Sequence, residues 1–243
     1  MTKTQEKKKV FKFKKFEIKQ DQCTMKVGTD GVILGAIASI DGAKEILDIG
    51  SGSGLVALML AQRSPESNIT GVEIEEKAFL QSVENAKNCP YSEKINFVNE
   101  PIQDFAKFAD NSFDLIVSNP PFFSGGTFSY NQERNNVRHT VKMPNGDLLQ
   151  SARKLLNKAG KFVVILPVME GLRFKDMAKT YRLFCTEEIA VFGKASKPDE
   201  RLVLVFEQQE AETIKTSKLV VYNEDNSYHE DFINLTKDFY LNF

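Results

Sequence analysis

Short apolar runs alternate with helical patterns through the middle of this 243-residue chain, and that alternation limits the folds open to it. Strand-like runs are predicted at 45–49, 69–74, 95–99, 113–118 and 160–166. Apolar residues three or four positions apart predict helices near 54–63, 76–88 and 146–157, with a further helix near 170–180. This pattern is typical of a parallel sheet covered by helices on both faces, so we predict a doubly wound α/β fold.

The composition suits one domain with a substantial core, because 42% of the residues are hydrophobic and 27% are charged. The sequence has no apolar stretch of about 18 residues and no recognisable signal peptide, so we expect a cytoplasmic protein outside the membrane. Cys23, Cys89 and Cys185 are widely spaced and form no C-x-x-C pair, which argues against a zinc site or a disulfide framework. We therefore expect one domain over residues 10–243, a monomer without a metal ion.

The charge of the chain is uneven, although the formal net charge is only −1. Residues 1–19 contain eight lysines and two glutamates, which gives +6, so the remaining residues carry −7. Lysines alternate with aromatic residues between positions 10 and 18, which suits a patch that binds phosphates and stacks on rings. Alternatively, residues 10–18 form an ordinary edge strand that lysines keep soluble. Residues 1–9 are expected to be a basic arm without fixed structure.

A rigid loop, Asn119-Pro120-Pro121-Phe122, directly follows the strand predicted at 113–118. Proline has no N–H for the sheet, so the strand must end here, and two successive prolines restrict the backbone. The Asn119 side-chain oxygen and the Pro120 carbonyl can accept both hydrogens of an NH2 group, while the Phe122 ring stacks on the planar group that carries it. The alternative is that Asn-Pro-Pro only marks a turn at the edge of the sheet.

A second motif, about 65 residues upstream, favours the functional alternative. Asp48 lies near the end of the strand predicted at 45–49, and Gly50, Gly52 and Gly54 follow at alternate positions before a helix. Glycines let a backbone approach a ligand closely and turn sharply into a helix. Glu73 lies 19 residues beyond the last glycine, near the spacing at which a carboxylate accepts ribose hydroxyls. The two features together predict a nucleoside-binding site.

The spacing of the glycines separates this turn from other nucleotide-binding motifs. The dinucleotide pattern G-x-G-x-x-G, counted from Gly50, needs a glycine where this chain has Leu55. The chain also lacks the phosphate loop G-x-x-x-x-G-K-[ST]. An NAD oxidoreductase and a nucleoside triphosphatase are therefore disfavoured.

Together these motifs resemble class I S-adenosylmethionine-dependent methyltransferases of the amino-methylating branch. The resemblance rests on the D-x-G-x-G-x-G run, on the acid at position 73 and on the N-P-P-F loop. The chain is also similar to bacterial tRNA(Val) adenine-N6-methyltransferases, which modify the base next to the anticodon, in segments 25–36, 138–140 and 236–241. This similarity leaves out only the first nine residues. It implies a seven-stranded, mostly parallel sheet that ends in an antiparallel hairpin, with candidate strands at 184–193 and 201–208.

The resemblance implies methyl transfer from S-adenosylmethionine to the exocyclic N6 amine of an adenine in the tRNA anticodon loop. It implies a cofactor site made of Thr29, Asp30, Asp48, Gly50, Gly52, Gly54, Glu73, Asp104 and Asn119. The glycines would approach the amino-acid portion of the cofactor, Glu73 its ribose, and Asp104 its adenine amino group. Asp104 is equally compatible with a helix cap or a surface acid. Thr29 and Asp30 are also candidates to cap the helix that begins near Val32.

Asn119, Pro120 and Phe122 are the implied catalytic residues. By accepting both N–H hydrogens, the first two would favour a pyramidal nitrogen whose lone pair points at the methyl group, so no strong general base is required. Phe122 would receive the face of a base that has left its stack. The aperiodic segment 123–145 is expected to face the substrate. Its candidate substrate-binding residues, in addition to Phe122, are Arg134 and Arg138.

Two other methyltransferase activities stay open at this point. Phenylalanine at position 122 also occurs in guanine-N2 methyltransferases of ribosomal RNA, and a related tyrosine loop serves glutamine methylation of release factors. DNA adenine methylation is disfavoured because the chain has no room for a target-recognition domain. A protein of another class, a catalytically silent RNA-binding protein, is disfavoured by the intact Asp48, Glu73 and Asn119.

Overall fold

A computed structural model describes residues 10–23, 25–109, 113–121 and 143–242. The expected basic arm, residues 1–9, lies outside these ranges, as do Phe122, Arg134 and Arg138. Within them, no helix is long and apolar enough to cross a membrane. No group of three or more His, Cys, Asp or Glu side chains in the same ranges is placed to hold a metal ion.

Ten strands and seven helices make up the described part of the chain. The strands are β1 Val10–Lys12, β2 Glu17–Lys19, β3 Glu45–Ile49, β4 Asn68–Val72, β5 Ile95–Val98, β6 Phe113–Ser118, β7 Leu156–Pro167, β8 Phe184–Lys194, β9 Asp199–Glu207 and β10 Lys215–Tyr222. The helices are α1 Thr29–Ile37, α2 Leu55–Arg63, α3 Glu76–Lys87, α4 Ile102–Phe108, α5 Asn145–Leu155, α6 Val168–Thr180 and α7 Glu230–Thr236.

Eight of the strands form one sheet in the order β5-β4-β3-β6-β7-β9-β8-β10. Five of the seven neighbouring pairs are parallel, and β9 runs antiparallel to both β7 and β8. The predicted mostly parallel sheet with an antiparallel hairpin is confirmed. All seven predicted strands are present, and their ends differ from the prediction by at most four residues.

The sheet has one strand more than the seven expected, because β10 pairs parallel to β8 at the edge. The first four residues of β10 are exposed, and only Leu219, Val220 and Val221 are buried. An edge strand that buries so few residues presents too short an apolar run for the pattern to predict it.

Helices cover both faces of the sheet, which confirms the doubly wound arrangement. Adjacent residues in β3 point to opposite faces: Ile46 joins a core with α1 and α2, whereas Leu47 joins a core with α4, α5 and α6. Both side chains are fully buried. Burial of each contributes about 1.5–3 kcal/mol, so the central strands anchor both layers.

The N-terminal aromatic residues belong to the core. Strands β1 and β2 pair in a two-stranded sheet of their own, and Phe13 and Phe16 are only 4% exposed. The N–H of Lys14 donates to the carbonyl oxygen of Phe239 at 2.8 Å, which ties the turn of this hairpin to the C-terminal segment. The expectation that these rings stack on a ligand is therefore wrong for Phe13 and Phe16. The hairpin is also not an edge strand of the main sheet.

Candidate active site

A cavity of about 690 Å³ lies at the carboxyl ends of the sheet strands. Its lining comes from the ends of β3, β4, β8 and β10, from the residues after β6, and from the first turns of α1, α2 and α4. Ligands in open α/β sheets bind at this edge, and the volume lies within the range of about 300–1,000 Å³ of small-molecule sites. The cavity is therefore the candidate active site.

The turn after β3 places two glycine backbones against the cavity. Gly50 and Gly52 have φ values of +74° and +54°, which favour glycine. A Cβ added at Gly52 would meet no atom within 4 Å, so the turn leaves room for a ligand there. Gly54 also has a positive φ, but a Cβ at this position would lie 2.9 Å from the Phe97 ring. The expectation that Gly54 approaches the ligand is corrected: it packs against β5 and lies outside the cavity lining.

Glu73 connects the end of β4 to the glycine turn. One carboxylate oxygen accepts the N–H of Gly52 at 2.9 Å, and the other accepts the N–H of Glu75 at 2.8 Å. Each oxygen keeps a further lone pair, so the same carboxylate can also accept hydroxyl groups of a ligand. The next residue, Ile74, lines the cavity and is 45% exposed, which makes it an apolar surface for a flat ring. Ile74 is not among the predicted site residues, although its position directly after the acid is a usable signal.

Asp48 is a buried acid below the same turn. It is 2% exposed, and its Oδ2 accepts the N–H of Ala57 in the first turn of α2 at 3.2 Å. The pKa of Asp48 is raised to about 7, mainly by burial and to a smaller extent by the charge of Glu73, although the hydrogen bond from Ala57 lowers it. Asp48, Gly50, Gly52 and Glu73 are called the glycine end of the cavity below.

Asn119 reaches the cavity because the end of β6 is anchored. The hydroxyl of Ser118 donates to the carbonyl oxygen of Ile49 at 2.8 Å, which joins β6 to β3 just before the loop. The Asn119 Oδ1 is buried and has no hydrogen-bond partner among the described residues. An unsatisfied buried acceptor costs about 1–3 kcal/mol, so a ligand donor that bonds to this oxygen would remove that cost. Pro120 is buried and lies outside the lining, and its acceptor role stays a prediction.

A second unsatisfied atom belongs to another residue of the cavity lining. The hydroxyl of Ser51, in the glycine turn, is buried without a partner, and Ser51 lines the cavity. Two of the three such side-chain atoms in the described ranges thus belong to cavity-lining residues, and the third is in Gln62. The unsatisfied hydrogen-bonding capacity of the described chain is concentrated at this site, as expected where a polar ligand binds.

Thr29 and Asp30 also line the cavity, in the first turn of α1. The N-cap residue of this helix is Gly28, and the helix start has no side-chain cap hydrogen bond. The capping role predicted for Thr29 and Asp30 is therefore wrong. Asp30 instead accepts the Nε–H of Arg201 at 2.8 Å in a partly buried ion pair. Arg201 lies 171 residues away in the chain and was missed, because no local pattern connects the two positions.

Comparisons with known proteins identify the family. A sequence model of the Methyltransferase small domain family matches residues 31–183. A tRNA1(Val) (adenine(37)-N6)-methyltransferase of Histophilus somni is 45% identical over 98% of this chain and 99% of its own length. Proteins of the same name from Mannheimia succiniciproducens and Trichodesmium erythraeum are 44% and 40% identical, over 96% of this chain in both cases and over 95% and 98% of their own lengths. The chain belongs to the Methyltransferase small domain family.

Solved structures confirm the fold of this methyltransferase. A predicted O-methyltransferase from Agrobacterium tumefaciens superposes with a TM-score of 0.66, over 86% of this chain and 96% of that one, at 13% identity. A ribosomal protein L11 methylase from Lactobacillus delbrueckii gives a TM-score of 0.52 over 74% of this chain and 77% of that one, at 15% identity. At these identities, the likeness concerns the fold alone.

S-adenosylmethionine is the cofactor of this methyltransferase family, and the cavity fits it. The glycine end offers a carboxylate for ribose hydroxyls and open space at Gly52, and Ile74 beside it offers an apolar surface. Acidic lining residues outnumber basic ones; the acids are Asp30, Asp48, Glu73, Glu75, Glu100 and Glu200, and the bases are Lys26 and Arg201. An acidic, partly enclosed cavity favours a cation such as a sulfonium ion.

Asp104 does not reach the cofactor site of this methyltransferase. It lies on α4 with a side chain that is 47% exposed, and it forms an ion pair with Lys107 at 2.9 Å. The preceding residue, Gln103, lines the cavity in its place. The structure therefore supports the surface-acid alternative for Asp104.

Proposed function

We propose that this methyltransferase transfers a methyl group from S-adenosylmethionine to the N6 amine of an adenine in the anticodon loop of tRNA. The observation that carries the proposal is the buried Asn119 Oδ1, which has no partner among the described residues and lies at the cavity. An exocyclic NH2 group supplies the donor that this oxygen lacks. The names of the relatives, which are 40–45% identical over nearly the whole chain, support adenine and tRNA as the targets.

The glycine end would hold and orient the cofactor. Glu73 would accept its ribose hydroxyls, and the turn at Gly50 and Gly52 would let its amino-acid portion approach the backbone. Asp48 supports this turn from below through its bond to the first turn of α2. When bound, S-adenosylmethionine supplies an electrophilic methyl group on a positively charged sulfur.

Asn119 would prepare the amine for attack. The lone pair of an exocyclic adenine nitrogen is delocalised into the ring, so this nitrogen is a poor nucleophile. Hydrogen bonds from the amine to Asn119 Oδ1 and to the Pro120 carbonyl favour a pyramidal nitrogen and stabilise the charge that develops on it. The cofactor would supply the methyl group and keep its sulfur, Asn119 and Pro120 would position the amine, and water would take the proton that the methylated nitrogen releases. Placing the nitrogen at about 3–3.5 Å from the methyl carbon supplies much of the remaining acceleration.

Residues outside the described ranges complete the proposal. Phe122 would stack on the extruded base, and Arg134 and Arg138 would contact the RNA. The lysines of residues 1–9 would bind phosphates, so deleting this arm should weaken RNA binding, more at low salt than at high salt.

We further propose that the protein acts as a monomer in the cytoplasm. Light scattering after size-exclusion chromatography should give the mass of one chain, and a dimer mass would contradict the monomer.

The decisive experiment supplies the purified protein with labelled S-adenosylmethionine and with separate pools of unmodified tRNA, ribosomal RNA and release factor. Mass spectrometry then identifies the methylated atom. We expect N6-methyladenine in the tRNA pool alone. Methylation of guanine N2 or of a glutamine side chain would contradict the proposal, and absence of transfer to every pool would favour a silent RNA-binding protein.

A further inference from the structure

The cavity extends well beyond the glycine end and Asn119. Its lining continues to Tyr222 at the end of β10, four strand positions away from β6 in the sheet. At about 4.8 Å for each step, this separation is roughly 19 Å. Methyl transfer to one base would use the glycine end and the part near Asn119, which leaves the distant part without a role. The distant part, formed by Asp30, Arg201 and Tyr222, is called the tyrosine end below.

Tyr222 is the last ring of an aromatic column. Its ring stacks on Tyr228 with centroids 5.3 Å apart and planes 23° apart, and Tyr228 stacks on Phe232 at 5.1 Å and 22°. Phe232 is fully buried, so the column is rooted in the core, whereas Tyr222 lines the cavity. A backbone bridge between Tyr222 and Tyr228 fixes the two rings relative to each other. The rings are therefore held in place before any ligand arrives, which lowers the entropy lost on stacking.

The hairpin between β8 and β9 supplies polar groups beside this ring. Arg201 is oriented by Asp30 and also donates to the carbonyl oxygen of Glu200 at 2.9 Å. The Glu200 carboxylate lies against the backbone of Gly193, where an added Cβ would be 2.5 Å from Oε1. Burial raises the pKa of the Tyr222 hydroxyl, and nearby Tyr228 and Glu200 raise it further, so this hydroxyl stays neutral. A ring, a guanidinium and a carboxylate thus lie together at one end of the cavity.

We propose that the tyrosine end is a second nucleotide subsite, which stacks a base of the RNA loop that flanks the target adenine on Tyr222. Proteins bind single-stranded RNA by combining aromatic stacking with a cation, and Tyr222 and Arg201 provide both. Glu200 can accept hydrogens from a base amine or a ribose hydroxyl. The proposal rests on the proposed function, because it requires an RNA substrate whose target base lies at Asn119.

The test measures binding of a fluorescent anticodon stem-loop RNA to the full-length protein by anisotropy. Tyr222→Leu should weaken RNA binding about tenfold, within the range expected for one stacked base. Its affinity for S-adenosylmethionine should stay within about twofold of wild type. Tyr222→Phe keeps the ring and should bind RNA like the wild type. Phe108→Leu is the matched control, because Phe108 is 82% exposed on α4 and lies outside the cavity lining.

Abasic RNAs then identify the stacked nucleotide. Each loop nucleotide except the target is replaced in turn, and one replacement should weaken binding to the wild type about tenfold while causing no further loss in Tyr222→Leu. The subsite is ruled out if Tyr222→Leu binds like the wild type, if Phe108→Leu loses as much affinity, or if every abasic effect persists in the variant. Wild-type protein that methylates no tRNA would instead overturn the proposed function. A melting temperature measured for each variant separates loss of binding from loss of fold.

Discussion

The glycine end and the tyrosine end of the cavity are built in different ways. The residues of the glycine end lie between positions 48 and 73 and are joined by hydrogen bonds such as that from Gly52 N–H to Glu73. The tyrosine end joins Asp30 to Arg201 across 171 residues and adds Tyr222 from the edge strand. One end is thus a local turn with special backbone angles, and the other exists only when distant elements pack together. Asn119 follows β6, which lies between β3 and β10 in the sheet, so it stands between the two ends.

The largest effect is expected at Asn119. Asn119→Ala should lower kcat for methyl transfer about a thousandfold, because it removes an acceptor that acts on the reacting nitrogen. S-adenosylmethionine binding should change little. Since Oδ1 has no partner among the described residues, the free energy of unfolding should stay the same or rise. Stopped-time assays, calorimetric titration and urea denaturation measure the three quantities. Equal losses of transfer and cofactor binding would mean that the loop is structural.

The buried acid of the glycine end should make stability depend on pH. The pKa of Asp48 is about 7 in the folded protein and about 4 in an unfolded chain, so the folded protein holds a proton that the unfolded chain has released between these pH values. The contribution of Asp48 to the free energy of unfolding therefore falls as pH rises from about 4 to about 7, by up to about 4 kcal/mol. Asp48→Asn should remove this fall, because an amide does not titrate. The amide oxygen can still accept the N–H of Ala57, so the turn keeps this hydrogen bond. Parallel urea-denaturation results for both proteins from pH 5 to 8 would contradict the assignment.

Two neighbouring glycines should separate ligand binding from packing within the glycine end. Gly54→Ala should lower the free energy of unfolding by about 3 kcal/mol, because its Cβ would press on Phe97 and its φ is +82°. Gly52→Val should also lose stability, because its φ is +54°, but it should in addition raise the Kd for S-adenosylmethionine at least about tenfold, since its side chain would enter the open space. Thermal denaturation and calorimetric titration of both variants provide the comparison. If the two variants lose cofactor affinity equally at unchanged stability, Gly54 belongs to the site after all.

The smallest effect is expected from the ion pair of the tyrosine end. Both side chains are about a quarter exposed, so solvent screens the pair and Arg201→Met should lower the free energy of unfolding by only about 1 kcal/mol. The double variant Asp30→Asn with Arg201→Met should lose no more, because the pair is already broken. Urea denaturation checks both values. A loss of several kcal/mol would show that the tyrosine end is a structural support as rigid as the glycine end.

The central strands β3 and β6, which the sequence predicted with their observed ends, are buried on both faces. Such strands carry continuous apolar runs, as in Phe113–Ser118, and their ends differ little from the prediction. Strand β10 escaped notice because its first half is exposed. The edge strand considered over residues 10–18 is instead a hairpin of two strands, β1 and β2, of three residues each. Helix α4 was missed for a similar reason, since it spans only seven residues and buries Ile102 and Ala106 alone.

Asp104 and Gly54 were predicted for the site but lie outside the cavity lining, because local sequence does not determine which way a residue faces. Gln103 and Asp104 are neighbours on a helix, where one residue corresponds to a rotation of about 100°, so one faces the cavity and the other faces solvent. The rotation of α4 is set by what Ile102 and Ala106 bury, and no motif encodes it. Gly54 continues the alternate spacing of Gly50 and Gly52, but in the structure Phe97 packs against it.

The sequence by itself determined the strand that ends in a glycine turn, the acid after the next strand and the amide of the Asn-Pro-Pro loop. These features depend on backbone angles, missing N–H groups and short spacings, which the local sequence encodes. The tertiary structure alone decided that Asn119 Oδ1 is left without a partner, that Asp48 is buried with a raised pKa, and that Tyr222 and Arg201 extend the cavity. Burial and contacts between distant residues depend on how the layers pack, and that packing is a property of the whole chain.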